Sequence, residues 1–171
     1  MADLTEQQIK EQDIDWFCLI NGHPAHIASM GGMIPETFRN REELRRQQDL
    51  VAHLEPVTEV RLNTEIIQTQ VRDGYGYLAD ETIRAAVVNA NRDNPGFDYL
   101  HNYDLPVRLY ASTFVDMARR GFRSYAKREG TAGNEYILIA EPVERVRFER
   151  DDIGLKVLRC EQKEDGNSFT F

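Results

Sequence analysis

The clearest pattern of hydrophobic positions is a pair of apolar-rich segments, Ile14–Ile20 and His23–Ser29, that flank Asn21-Gly22, the dipeptide best suited to the positive φ angles of a type I′ turn. The pattern predicts a β-hairpin with Trp16 in the core, because one face of the Trp-Phe-Cys-Leu-Ile run must be covered. Met30-Gly31-Gly32-Met33-Ile34-Pro35 then breaks regular structure. Asn40, followed three residues later by Glu43, caps a helix predicted to reach Leu54, with Glu42 and Arg46 as an i,i+4 pair on its exposed side. Past Pro56, Val60–Ile66 alternates as a strand that continues toward Val71, and Asp73-Gly74-Tyr75-Gly76 is a turn.

Asp80 is a suitable N-cap for a second helix, in which Ile83, Ala86, Val87 and Ala90 fall at i, i+3, i+4 and i+7. Asn94-Pro95-Gly96 ends that helix, and an aromatic connection from Phe97 to Pro106 leads to a third, predicted from Ser112 to Arg128. The remainder reads as strands at Glu135–Ala140, Val143–Arg150, Ile153–Cys160 and Ser168–Phe171. Strands at both chain ends with about three helices between them predict an α+β fold with a mostly antiparallel sheet. The expected organisation is one domain over residues 1–171, and the alternative is two small lobes divided near 72–106.

Composition adds exclusions rather than a function. With 41% hydrophobic and 9% aromatic residues, the 171-residue chain is an ordinary globular protein, and at this length a core forms without a disulfide or metal staple. Cys18 and Cys160 lie far apart in apolar segments and form no Cys-x-x-Cys or knuckle pattern, so free thiols are expected. The longest apolar runs, Trp16–Ile20 and Tyr136–Ala140, are five residues each, against the ~20 that cross a bilayer, and no membrane partner is expected. The N-terminal residues lack the basic start and apolar stretch of a signal peptide, which makes the cytoplasm the expected compartment.

The charge is unevenly distributed: residues 1–100 carry the whole net −8, and residues 101–171 are neutral. An acidic chain without a broad basic surface is repelled by a phosphate backbone, which disfavours nucleic acid as a partner.

Candidate chemistry is sparse. His23 and His26 stand three apart on a predicted strand and therefore point to opposite faces, so no metal site is predicted. Asp13 and Asp15 share a face at the start of the first strand, where charges usually meet water. No dinucleotide fingerprint, phosphate-binding loop or nucleophile elbow occurs, and no cofactor is expected.

Two features stand out. The first is the ring-rich connection of Phe97, Tyr99, His101, Tyr103 and Tyr110, which reads either as a contact surface or as a lid over the helices. The second is the predicted third helix. There Arg119, Arg120, Arg123 and Lys127 fall opposite the Phe114, Ala118, Phe122 and Tyr125 arc, as a binding stripe or as cations paired within the fold.

The expected function is therefore a non-catalytic binding or assembly protein. Tyr99, Tyr103, Arg119, Arg120, Arg123 and Lys127 are its candidate contacts, with a protein partner or a second copy as ligand. The alternative is a small-anion-binding domain or enzyme, whose arginine-lined pocket between Gly31-Gly32 and the third helix holds a phosphate or carboxylate.

Overall fold

In the computed structural model, which describes residues 2–130, 133–145 and 153–171, the predicted hairpin is present. Strand β1 (Asp15–Ile20) pairs antiparallel with β2 (His23–Ala28), and Asn21 (φ 50°) and Gly22 (φ 75°) both take the left-handed conformation that the turn requires. A short capped helix, α1 (Glu6–Glu11), precedes it. Helix α2 (Arg41–Ala52) begins as predicted, with the Asn40 side chain accepting the Glu43 amide at 2.9 Å.

The middle of the chain departs from the prediction. Strand β3 is only Val60–Leu62, and residues Thr64–Val71, expected to extend it, form helix α3. Ile67 and Val71, one turn apart, both face the apolar layer beneath α6, a helical spacing that short-range alternation had concealed. Helix α4 (Glu81–Ala90) is capped by the Asp80 carboxylate, which accepts the amides of Thr82 and Ile83 at 2.9 and 3.1 Å. The aromatic connection contains a further helix, α5 (Pro95–Tyr99), with Asn94 as its N-cap and Phe97 buried beneath the Arg108 guanidinium. Gly96 lets α5 approach the next helix closely, since a Cβ there would lie 1.8 Å from the Ser112 carbonyl oxygen.

That next helix, α6 (Leu105–Arg119), ends nine residues before the predicted end at Arg128. Gly121, at φ 107°, breaks the chain out of the helix, and Arg123–Lys127 form strand β4. Strand β5 (Glu135–Pro142) matches its prediction, β7 (Ser168–Thr170) matches in part, and β6 (Glu161–Gln162) is short. The strand predicted over Val143–Arg150 lies largely outside the described residues. The Ile153–Cys160 segment makes one isolated parallel bridge, Leu19 with Val157, instead of a strand.

Among the described residues the fold is thus α+β with six α-helices and a seven-stranded mixed sheet in the order β1-β2-β4-β5-β7-β6, with β3 also on β5. Every strand pairing is antiparallel except β2 with β4, so the sheet is mixed although most of its pairings are antiparallel as expected, and six helices stand where about three were expected. The parallel pair exists because the chain between them crosses over through α2–α6, a connection no hairpin can make. Apolar residues cover both faces: Trp16, Tyr125, Tyr136 and Phe169 lie in one layer, while Ala126, Ile137 and Ile139 meet α6 in the other. A strand buried on both faces reads as a continuous apolar run, as β5 does.

Candidate functional site

The sheet brings together three polar residues that sequence reading did not connect. Phe17 on β1 pairs with His26 on β2, and His26 pairs with Ser124 on β4, so adjacent strands place Asp15, His26 and Ser124 side by side. His26 is fully buried; its Nε2 lies 2.7 Å from Asp15 Oδ1 and its Nδ1 lies 2.6 Å from Ser124 Oγ. An ionised carboxylate only accepts, so the nitrogen facing Asp15 carries a proton, while Nδ1 shares a hydrogen bond with the Ser124 hydroxyl. Burial pushes the Asp15 carboxyl up, but the hydrogen bond and charge of His26 outweigh it and hold the group below its ordinary value. Phe17 and Phe114 flank the imidazole at ring-centroid distances of 5.5 and 6.1 Å.

The order Asp-His-Ser resembles a nucleophilic relay, but its chemistry here is structural. Ser124 is fully buried, so no substrate carbon can reach its oxygen. What reaches solvent is the other end: the Asp15 side chain is 39% exposed.

Asp15 lines a cleft of about 620 Å³. Helix α2 supplies one wall with Arg41, Leu44, Arg45 and Gln48, residues at i, i+3, i+4 and i+7 that share a face. Gln48 Nε2 donates to the Asp15 carbonyl at 2.8 Å and so ties that wall to β1. The end of α6 closes the cleft with Asp116, Met117 and Arg120. A second cleft, of about 330 Å³, holds His23, Arg123, Glu141 and Arg145; burial and the two guanidiniums push the His23 pKa down, against Glu141.

The sequence candidates scatter over these surroundings. They do not form a helical stripe, because α6 stops at Arg119 and the remaining bases continue on β4. Arg120, at the α6 C-cap, donates to the carbonyls of Val51 and Ala52 at 3.1 Å each and to that of Leu54, and pairs with Asp116 at 3.3 Å. It thereby satisfies the C-terminal carbonyls of α2. Arg123 pairs with Glu141 at 3.4 Å, and Lys127 sits at the far end of β4, where its carbonyl accepts from Gln70. Arg119 and Tyr99 are brought together, with the guanidinium 4.7 Å from the ring centroid. The Tyr99 hydroxyl donates to Glu59, a bond that raises its pKa. Tyr103 stays exposed.

Helix α4 is unlike the others, because none of its residues is buried. The residues of its apolar stripe, Ile83, Ala86, Val87 and Ala90, belong to none of the apolar clusters, with Val87 half-buried and the others exposed, and its main neighbour is the short turn Gly76–Ala79.

Among the described residues no group of three or more His, Cys, Asp or Glu side chains is placed to hold a metal ion, and no helix is long and apolar enough to cross a membrane. No protein-family model, curated protein or solved structure matches the chain.

Proposed function

We propose that this protein is a non-catalytic binding and assembly protein that associates with a second copy of itself through α4. The observation that carries this reading is a ten-residue helix with an apolar stripe and no buried residue. Helices shorter than about 12–15 residues are marginal in water, and most helical stability in proteins comes from packing an apolar face. Packing within its own chain gives α4 little of that stability, and a partner supplies it.

A second copy suits the stripe. When two α4 helices lie antiparallel about a point between Ala86 and Val87, Ile83 of one copy meets Ala90 of the other, and Val87 meets Ala86. Large side chains then face small ones throughout, as a two-fold interface requires of a self-complementary surface. The flanking Arg84, Asn89 and Asn91 bring no like charges together. Tyr77, 47% exposed in the turn packed on α4, widens the contact. Tyr99 and Arg119 satisfy each other, so α4 replaces them as the principal contact. Free Cys18 and Cys160 suit the reducing cytoplasm, the compartment in which we place this assembly.

One short helix face is smaller than the ~800 Å² per partner of a standard stable interface, so the dimer should exchange with monomer. Sedimentation equilibrium of the wild type and of Val87→Glu tests the reading. The expected result is a mass that rises with concentration from the 19.8 kDa monomer in the wild type and stays there in the variant. A wild type that remains monomeric to millimolar concentration would overturn it.

A further inference from the structure

The 620 Å³ cleft beside Asp15 lies apart from α4 and plays no part in self-association, yet its chemistry is specific. Three arginines, Arg41, Arg45 and Arg120, share it with three aspartates, Asp13, Asp15 and Asp116. The formal charges cancel, so a phosphate or other multiply charged anion would meet as much repulsion as attraction.

The partners of these groups decide which charges remain for a ligand. Arg120 is taken by the α2 carbonyls and Asp116. Asp13 accepts the Met30 amide at 2.9 Å. Arg41 reaches the Gln8 side chain through one terminal nitrogen, while its Nε is buried without a partner. Arg45 is exposed and makes no hydrogen bond or ion pair among the described residues, and Asp15 uses only Oδ1, toward His26. Arg41 and Arg45, together with the second carboxylate oxygens of Asp13 and Asp15, are therefore left lining the same space, and Asp15 is the carboxylate held in place by a buried partner.

Their placement separates the two signs. Arg41 and Arg45 are one helical turn apart on one face, with Cβ atoms ~5–6 Å from each other, close enough for both guanidiniums to converge on one carboxylate. Asp15 lies level with Gln48, further along α2, fixed from behind by His26. Met117 and the buried Phe17 and Leu44 add apolar lining to the cleft.

We infer that this cleft binds a small zwitterion, an α-amino acid with an apolar side chain. Its carboxylate is held by Arg41 and Arg45, its ammonium by Asp15, and its side chain lies against Phe17, Leu44 and Met117. The volume lies within the range of pockets that enclose small molecules. His26 acts as a positioning residue: both of its nitrogens are engaged, and it fixes the carboxylate that meets the ammonium.

Isothermal titration calorimetry of the full chain with L-leucine, L-phenylalanine and L-methionine tests the inference, with N-acetyl-L-leucine and L-leucinamide as probes lacking one charge each. At least one of the three amino acids should bind with millimolar affinity or better. Both charge-deleted probes should bind at least tenfold more weakly than L-leucine, or not at all. Arg45→Gln, at an exposed residue with no partner to lose, should weaken amino-acid binding at least tenfold and leave the urea midpoint unchanged. Absence of heat from all three amino acids would overturn the inference. So would N-acetyl-L-leucine binding as tightly as leucine, which marks a plain carboxylate site, or unchanged affinity in Arg45→Gln.

Discussion

His26 Nε2 stands 2.7 Å from Asp15 Oδ1, so a fully buried imidazole on the second strand anchors a partly exposed carboxylate on the first. Because the pair holds the Asp15 pKa below 3.8, the folded state binds that proton less readily than the unfolded chain. The resulting stability is present above the unfolded value and is lost as pH falls through the folded one. Asp15→Asn should therefore lower the urea midpoint at neutral pH, with the gap to wild type narrowing once pH falls below 3.8. Denaturation curves across that range check the sign.

The Ser124 hydroxyl shares a hydrogen bond with the other ring nitrogen inside the sheet, 2.6 Å away. Ser124→Ala leaves Nδ1 buried without its partner, which costs about 1–3 kcal/mol. Since Ser124 touches no solvent, leucine affinity should be unchanged in the same variant, and calorimetry beside thermal melting separates the two effects.

Gly96→Ala should destabilise more than most single substitutions. The new methyl would stand 1.8 Å from the Ser112 oxygen, and both atoms at the contact belong to helices rather than to a flexible side chain. Overpacking of this kind costs about 1–3 kcal/mol or more. A thermal midpoint equal to wild type would contradict the close approach of α5 and α6 at Gly96.

The basic run after α6 supplies a comparison. Arg120→Ala removes donors to the last carbonyls of α2 and should cost about 2 kcal/mol, as for hydrogen bonds made by charged groups. Lys127→Ala, at the end of β4, should stay within ~0.5 kcal/mol of wild type. Equal losses in the two variants would contradict the break at Gly121.

Local signals carried the hairpin, the Asn40 and Asp80 caps and β5, because each depends on neighbours in sequence. The α6 boundary was misread because Phe114, Ala118, Phe122 and Tyr125 keep helical spacing across a chain break: Phe122 and Tyr125 are buried after the helix has ended. Gly121, between Arg120 and Phe122, was the available signal. The Asp15, His26 and Ser124 relay was illegible for a different reason. Two of its members come from one hairpin, but Ser124 arrives through a parallel pairing across 98 residues, and no local pattern specifies that register. Arg41 and Arg45 were visible as residues of a predicted helix, yet only the packing of α2 against β1 brings them into one cleft with Asp15. The α4 stripe was legible as a pattern, while its exposure was not, since periodicity marks a face without saying what covers it.

Amide hydrogen exchange as a function of protein concentration tests self-association through α4 most directly, because the helix should be marginal in the monomer and packed in the dimer. Protection of the amides from Arg84 to Ala90 should rise between micromolar and millimolar protein, while β5, buried within the sheet, stays constant. In Val87→Glu the rise should disappear. Protection of α4 that is independent of concentration in the wild type would contradict the account.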